Sequence, residues 1–333
     1  MPIQYAGIAP EHQAVREHVG VFDVSHMGEV TVKGKDAERY VQHIFTNDIA
    51  GAPIGKILYG MMCYENGGTV DDLLVYKFGE NDFFLVINAA NIDKDWAWMQ
   101  EQAKGFDIDL QNRSDFYGQI AVQGPESEYI VETVLGLECK ELTFYTFKTI
   151  GDVIISRTGY TGEDGFEIYA DHDYIRTCWD KLMAAGIQPC GLGCRDTLRF
   201  EVGLPLYGDE LSEEITPIMA GLGMFVKLDK AEFIGKEALA KQKAEGPAKK
   251  LIGIELADKA IPRHGYTVLN MSGEPIGEVT TGYHALSTDK SVCMALVDAQ
   301  YAKLDTELQI QIRKKVFPGK VVKKQFYNKS YKR

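Results

Sequence analysis

Between residues 56 and 78 the chain reads KILYGMMCYENGGTVDDLLVYKF, two strand-like runs flanking Glu65-Asn66-Gly67-Gly68. Asn-Gly tolerates the positive φ angles of a tight turn, so this pattern predicts a hairpin. Upstream, EVTVKG (29–34) alternates like a strand, and DAERYVQHIF after it has the spacing of a short amphipathic helix opened by Asp36. FFLVI (83–87) supplies a third strand after the hairpin pair. NIDKDWAWMQEQAK (91–104) then sets Ile92, Trp96 and Met99 at helical spacing. A sheet with one apolar face has to be covered, so this run predicts an open α+β unit.

QGPESEYIVETVLG (123–136) predicts a helix with Pro125 in its first turn, where a missing N–H costs nothing. DVIISRTGYTGEDGFEIY (152–169) reads as strand, glycine-rich turn, strand, and DHDYIRTCWDKLMAAG as a helix capped at Asp171 and stopped by Gly186. Residues 186–223 are rich in glycine and predict a looped stretch, and FIGKEALAKQKAEG (233–246) an exposed helix. KAEGPAKK is the clearest boundary. Beyond it come LIGIEL, YTVLN, PIGEVTTG, VCMALV, ELQIQI and KVVKKQF, short strands that predict an all-β unit, a small barrel or jelly roll.

Composition narrows the class. The 333 residues suggest two domains, or three if one is small, at roughly 150 residues each. With 45% hydrophobic and 25% charged residues, a wholly disordered chain is excluded. No run approaches the roughly 18 apolar residues of a membrane helix. The start, MPIQYAGIAPEHQ, lacks the basic and apolar regions of a secretory signal. Six scattered cysteines fit reduced thiols in a cytoplasmic protein rather than a disulfide scaffold. The net charge of -12 is uneven: residues 303–333 carry ten Lys/Arg against Asp305 and Glu307, a local balance of +8. An acidic body argues against general nucleic-acid binding, whereas the basic end suits an anionic ligand or acidic partner, or is simply a solvated strand and tail.

The chain has no dinucleotide loop, Walker A sequence, zinc-protease motif, C-x-x-C pair or G-x-S-x-G. Cys190 and Cys194 stand four apart without a second cysteine pair, which favours small buried thiols over a zinc site. Asp71-Asp72 lies in an otherwise apolar strand, so alternation sends one carboxylate into whatever covers the apolar face. Such a group can bind ligand N–H donors or hold a proton; it can equally accept hairpin backbone N–H groups. Glu167 opposes Phe166 and Ile168 in sense, after the glycine-linked SRTGYTGEDG, whose backbone is suited to lie against a ligand; a wet edge strand is the alternative. Arg195, following PCGLGC, is suited to grip a carboxylate, or to pair structurally with Asp196 or Glu201; Arg199 can share a helical face with it.

Taken together, MPIQYAGI (1–8), VGVFDVSHMGEV (19–30), FTNDI (45–49), GGTVDDLLVYK (67–77), AVQGP (121–125), RTGYTGEDGFEI (157–168) and GLGCRDTLRFEVGLPLYG (191–208) resemble the aminomethyltransferase (T-protein) family of the glycine cleavage system. TPIMAGLGMFVK, FIGKEAL, GEPIGEVTTGYHALS and PGKVVKKQF extend the likeness over nearly the whole chain in consistent order. The resemblance implies an α+β, three-domain folate-binding fold around a central cavity. The expected division is 1–50 with 115–245, an inserted unit at 51–114, and a C-terminal barrel at 246–333. It further implies transfer of the one-carbon unit from an aminomethyl group on lipoylated H-protein to tetrahydrofolate. The products would be 5,10-methylenetetrahydrofolate, ammonia and dihydrolipoyl H-protein, with no metal, flavin or nicotinamide.

By match of motif, Asp72 resembles the family's essential aspartate, with Asp71 the adjacent candidate. Glu167 resembles the acid on the pterin edge, Arg195 an arginine near the folate, and Tyr331 a ligand-contacting tyrosine. The other glycine cleavage components are implied as transient partners, with no nucleic acid or membrane. Family members normally carry some tens of residues before the stretch matching MPIQY, so the first domain is expected to lack packing and turnover to suffer. The alternative within the same fold is a folate-dependent domain of methylated-glycine catabolism, which usually comes with a flavin domain; of a different class is a folate-binding accessory protein of iron–sulfur assembly, a binding module rather than a transferase. The latter carries K-G-C-Y-x-G-Q where this chain has GLGCRDTLRFEVGLPLYG.

Overall fold

The Asn66-Gly67 pair turns the chain as the pattern predicts: Gly67 takes a φ of 87°, and Asn66 Oδ1 accepts from the Gly68 N–H at 2.9 Å. The structure, a computed structural model, describes residues 1–331. In chain order its strands are β1 (Gly20–Asp23), β2 (Gly28–Lys33), β3 (Ile57–Cys63), β4 (Thr69–Gly79), β5 (Asp82–Ile87), β6 (Asp109–Asn112), β7 (Tyr117–Gln123), β8 (Phe147–Ile150), β9 (Val153–Ser156), β10 (Gly165–Asp171) and β11 (Gln188–Pro189). Then come β12 (Lys249–Leu256), β13 (Thr267–Leu269), β14 (Pro275–Ala285), β15 (Lys290–Asp298), β16 (Glu307–Ile312) and β17 (Lys315–Val322). The helices are α1 (Ile8–Glu17), α2 (Ala37–Ile44), α3 (Ile92–Gln102), α4 (Ser127–Ile130), α5 (His172–Ala184), α6 (Leu192–Glu201) and α7 (Lys236–Glu245).

Sheet one runs β11-β1-β7-β10-β9-β8, sheet two runs β3-β4-β5-β2-β6, and β12-β15-β14-β13-β16-β17 close a barrel. Helix α5 is capped by Asp171, whose carboxylate accepts from the Asp173 and Tyr174 N–H groups at 2.9 Å. Its buried Ile175, Cys178 and Leu182 cover Ile120, Val122, Ile155 and Ile168 of sheet one. Helices α2 and α3 cover sheet two with Tyr40, Val41, Ile44 and Met99 against Val30, Val32, Leu73 and Val75. The uncovered faces of the two sheets meet through Ile57, Tyr76, Phe84, Val86, Phe147, Ile154 and Tyr169. The result is helix, sheet, sheet, helix, with the barrel alongside.

Three expectations need correction. The sheets do not part at 50/51, because β2 and α2 pack with sheet two through Val30, Val32, Tyr40 and Val41. The stretch 186–223 is not looped throughout, since α6 lies within it. The last strand is Lys315–Val322, so the KKQF part of the expected strand has already left the barrel. Helix α1, with only Glu11, His12 and Val15 buried, shows too little apolar periodicity to be predicted. All six cysteines are buried and unpaired. Glu11 lies with Cys190 and Cys194, but its carboxylate already accepts four backbone N–H groups, from Tyr5, Ala6, Gly7 and Gly191, and so is a structural knot. No helix among the described residues is long and apolar enough to cross a membrane.

Candidate active site

Alternation along β4 sends its adjacent carboxylates to opposite faces. Asp71 shares a face with Leu73 and Val75 and is buried beneath α3. It accepts from the Asn88 N–H at 2.9 Å, from Asn88 Nδ2 at 2.8 Å and from Asn91 Nδ2 at 2.7 Å. Asp72 faces the other way, into a cavity of about 850 Å³ between the two sheets and the barrel's outgoing chain. Tyr59 on β3 donates to its Oδ2 at 2.9 Å and Asn88 Nδ2 to its Oδ1 at 2.9 Å. Burial, then the charge of Asp71, pushes the Asp72 carboxyl up to about 7 against those donors.

Across the cavity stands Glu167, on β10 between β7 and β9, so the wet edge-strand reading does not hold. Thr158 donates to its Oε2 at 2.5 Å and Gln119 Nε2 to its Oε1 at 3.0 Å. Burial raises its pKa, while these donors and the Arg195 guanidinium oppose the rise. Of the glycines before it, Gly159 lines the cavity, and Gly159 and Gly162 are also packed closely within the protein. A Cβ on Gly159 would strike the Gln123 side chain at 1.9 Å, and one on Gly162 would meet Val202 at 2.4 Å.

Arg195 sits on α6 rather than at the end of a loop. Its guanidinium lies 4.4 Å from the Tyr160 ring centroid, and burial lowers its pKa. The expected pairing with Asp196 belongs to Arg199 instead, which binds Asp196 at 2.7 Å and Glu210 at 2.8 Å. Tyr331 stacks on Phe144 with ring centroids 4.0 Å apart, and burial pushes its phenol up to about 12. It reaches the cavity because the chain beyond β17 is pinned across α6: the Phe326 and Tyr327 N–H groups donate to the Glu201 carbonyl, and Ser330 N–H to that of Gly162. Asp72, Glu167, Arg195 and Tyr331 therefore line one cavity. From the basic end, Lys323, Lys324 and Lys329 line it too, and burial lowers the Lys324 ammonium to about 8. Lys332 and Arg333, counted in that +8 balance, lie outside the described residues.

Residues 1–230 match the GCVT N-terminal domain, and residues 249–328 match the glycine cleavage T-protein C-terminal barrel domain. The chain belongs to the glycine cleavage T-protein family. An aminomethyltransferase of Alkaliphilus oremlandii is 50% identical over 342 aligned positions, covering all of this chain and 93% of that protein. One of Thermoanaerobacter sp. is 47% identical with the same coverage. The crystal structure of aminomethyltransferase T of the glycine cleavage system from Bartonella henselae superposes with a TM-score of 0.96 at 32% identity, covering all of this chain and 93% of that one.

In this T-protein family member several cavity groups carry no sequence signal of their own. Tyr59, Asn88 and Gln119 become neighbours of the carboxylates only through strand pairing. Tyr145 lines the cavity with a φ of 63°, a left-handed conformation costly for a tyrosine. It is held there between the sheets: Ile57 N–H donates to its carbonyl at 2.9 Å, and its own N–H donates to that of Arg157 at 3.0 Å.

Proposed function

We propose that the chain takes the one-carbon unit of an aminomethyl group carried on lipoylated H-protein and passes it to tetrahydrofolate held in this cavity. Methylenetetrahydrofolate, ammonia and dihydrolipoyl H-protein are the products. The observation that carries the reading is one cavity, of a size that takes a cofactor-like ligand, walled by two half-buried carboxylates from different sheets. A reduced pterin presents N–H donors along its edge, and Glu167 offers acceptors. In the reaction the carbon–nitrogen and carbon–sulfur bonds of the donor break, and two carbon–nitrogen bonds form to the folate. The two folate nitrogens release two protons; ammonia takes one and the thiol the other. Asp72, with its pKa near 7, is able to hold a proton in transit and to stabilise positive charge on the carbon being transferred. The rest of the catalysis is orientation in a site that excludes water.

Further elements of the reading are the working location and the partner. We place the protein in the cytoplasm, meeting H-protein and, transiently, the other glycine cleavage components. The lysines at the cavity wall supply positive charge for an acidic lipoylated carrier. The test is ammonia release from aminomethylated H-protein with tetrahydrofolate, followed across a salt series. Turnover that falls as salt rises supports charge-guided docking. Equal activity with free aminomethyl-dihydrolipoamide refutes the docking, and no ammonia from either donor refutes the reaction.

A further inference from the structure

Behind Glu167 four hydroxyls and one amide close a ring of hydrogen bonds. Thr158 Oγ1 donates to Glu167 Oε2 at 2.5 Å, and Ser156 Oγ lies 2.6 Å from Thr158 Oγ1. Tyr76 Oη is 3.1 Å from Ser156 Oγ, and Tyr169 Oη is 2.9 Å from Tyr76 Oη. Gln119 Nε2 completes the circuit, 3.1 Å from Tyr169 Oη and 3.0 Å from Glu167 Oε1.

Each hydroxyl has one proton to give, so one assignment fixes the rest. With Glu167 ionised, Thr158 donates to it, Ser156 to Thr158, Tyr76 to Ser156 and Tyr169 to Tyr76. The two Gln119 amide protons then go to Tyr169 and to Glu167, and every bond in the ring is made. A second acceptor for Ser156, the Glu167 carbonyl, is at 3.4 Å, too long to compete with Thr158 at 2.6 Å.

The reversed ring fails. If Glu167 were protonated toward Thr158, each hydroxyl would turn and Tyr169 would need an acceptor at Gln119. Turning the amide to provide one would set the Gln119 oxygen against Glu167 Oε1, two acceptors face to face. Keeping the amide as it stands would leave Tyr76 and Tyr169 both donating to each other. In either case one buried bond is lost, which costs about tenfold or more in the population of that state. A proton on a cavity-facing lone pair would leave the ring closed but would weaken the charge-assisted bonds that Thr158 and Gln119 give the carboxylate.

We propose that this ring is a polarity lock: Thr158, Tyr76, Tyr169 and Gln119 are positioning residues that favour the ionised Glu167, so that it meets the cavity as an acceptor. It thereby selects a ligand edge of N–H donors and rejects one that presents acceptors. The inference rests on the reading of the cavity as a reduced-folate site. Other groups facing Glu167 act on the same equilibrium. Arg195 on α6 favours the carboxylate, while the phenols of Tyr76, Tyr145 and Tyr169 have raised pKa values and stay neutral. Burial opposes ionisation, and the ring counters it.

Calorimetric titration of the full chain with tetrahydrofolate, from about pH 5.5 to about pH 8, tests this. Wild-type protein, Thr158→Val, Thr158→Ser and the near-isosteric Tyr76→Phe are compared, so that protonation of the ligand itself cancels. Thr158→Val is expected to weaken binding about tenfold near pH 7 and to move the acid limb of binding up by about one pH unit. Tyr76→Phe moves the limb the same way by less, and Thr158→Ser leaves it in place. Uniform weakening at every pH in the first two variants would overturn the lock and leave a packing role. So would a serine variant displaced as far as the valine one. Absence of tetrahydrofolate binding by the wild-type protein would overturn the reading of the cavity itself, a result separate from any shift among variants.

Discussion

Asp72 on sheet two has a second carboxylate, Asp71, as its neighbour in sequence, and receives side-chain donors from Tyr59 and Asn88. Glu167 on sheet one has Arg195 as its charged neighbour and a closed circuit of donors behind it. Both are half-buried in the cavity wall, and desolvation is the largest influence on each. The company differs, and with it the chemistry: a like charge adds to desolvation at Asp72, and together they bring it into the range where a proton comes and goes near neutrality. Glu167 is furnished to stay an acceptor. One cavity thus holds a titrating wall and a fixed wall, set apart by their neighbours.

The largest break in that contrast is Asp72→Asn, which removes the titrating group and preserves its shape. Formation of methylenetetrahydrofolate is expected to fall by about 10²-fold or more, with tetrahydrofolate affinity far less affected. A loss shared equally by affinity and melting temperature would mark Asp72 as structural. Glu167→Gln strikes the fixed wall. An amide cannot accept at every site the carboxylate fills, so affinity is expected to fall about 10- to 100-fold, with kcat at saturation less reduced. Steady-state kinetics that lowered kcat and left KM intact would reverse the assignment of the two walls.

Titration gives a subtler separation. Asp72 is expected to impose a rise of kcat/KM through about pH 7 that is absent from Asp72→Asn. Stability runs the other way. The folded protein keeps a proton on Asp72 that the unfolded chain releases near 3.8, so it binds more protons between there and about 7, and stability falls as pH rises through that window. Asp72→Asn should therefore melt above the wild type by about 2 °C or more at pH 8, the gap closing toward pH 4. Thermal melts at both pH values check the sign. Asp71→Asn is the smallest step: it removes the like charge and should lower the kinetic midpoint of Asp72 by about one unit or less. A midpoint unmoved, or raised, would show that Asp71 does not tune its neighbour.

Much of this architecture was legible because the strands between 57 and 87 and beyond 249 carry strong local patterns and turn residues. Helix α6 was not, since Gly191 and Gly193 at its start read as loop when their close approach to the Ile3 carbonyl is unknown. The two adjacent aspartates show where sequence reasoning stops. Counting back from the turn with regular pairing, Cys63 opposite Thr69 would put Met61 opposite Asp71 and Tyr59 on the face of Asp71. The register instead shifts between Met62 and Cys63, leaving Val70 as the extra residue and setting Met61 opposite Asp72. One bulge decides which carboxylate meets Tyr59. Family motifs named the aspartate, but its partners depend on a backbone irregularity that composition and alternation do not encode.

That nested arrangement of sheets also bears on how the chain folds. Strands β1 and β7 are antiparallel neighbours, Asp23 opposite Ile120, although all five strands of sheet two lie between them in sequence. Left as a coil, the intervening stretch would impose a loop-closure entropy before any reward from pairing. Sheet two removes that obstacle. Its β2 and β6 pair with Val30 opposite Asn112, and the Arg113 N–H donates to the Glu29 carbonyl at 2.7 Å, so the two ends of the intervening segment are held together. A local structure, once formed, delivers β1 and β7 to each other almost in register. The segment is an insertion that acts as a clasp: its ends meet, and whatever replaced it would have to meet in the same way for the wall bearing Glu167 to assemble.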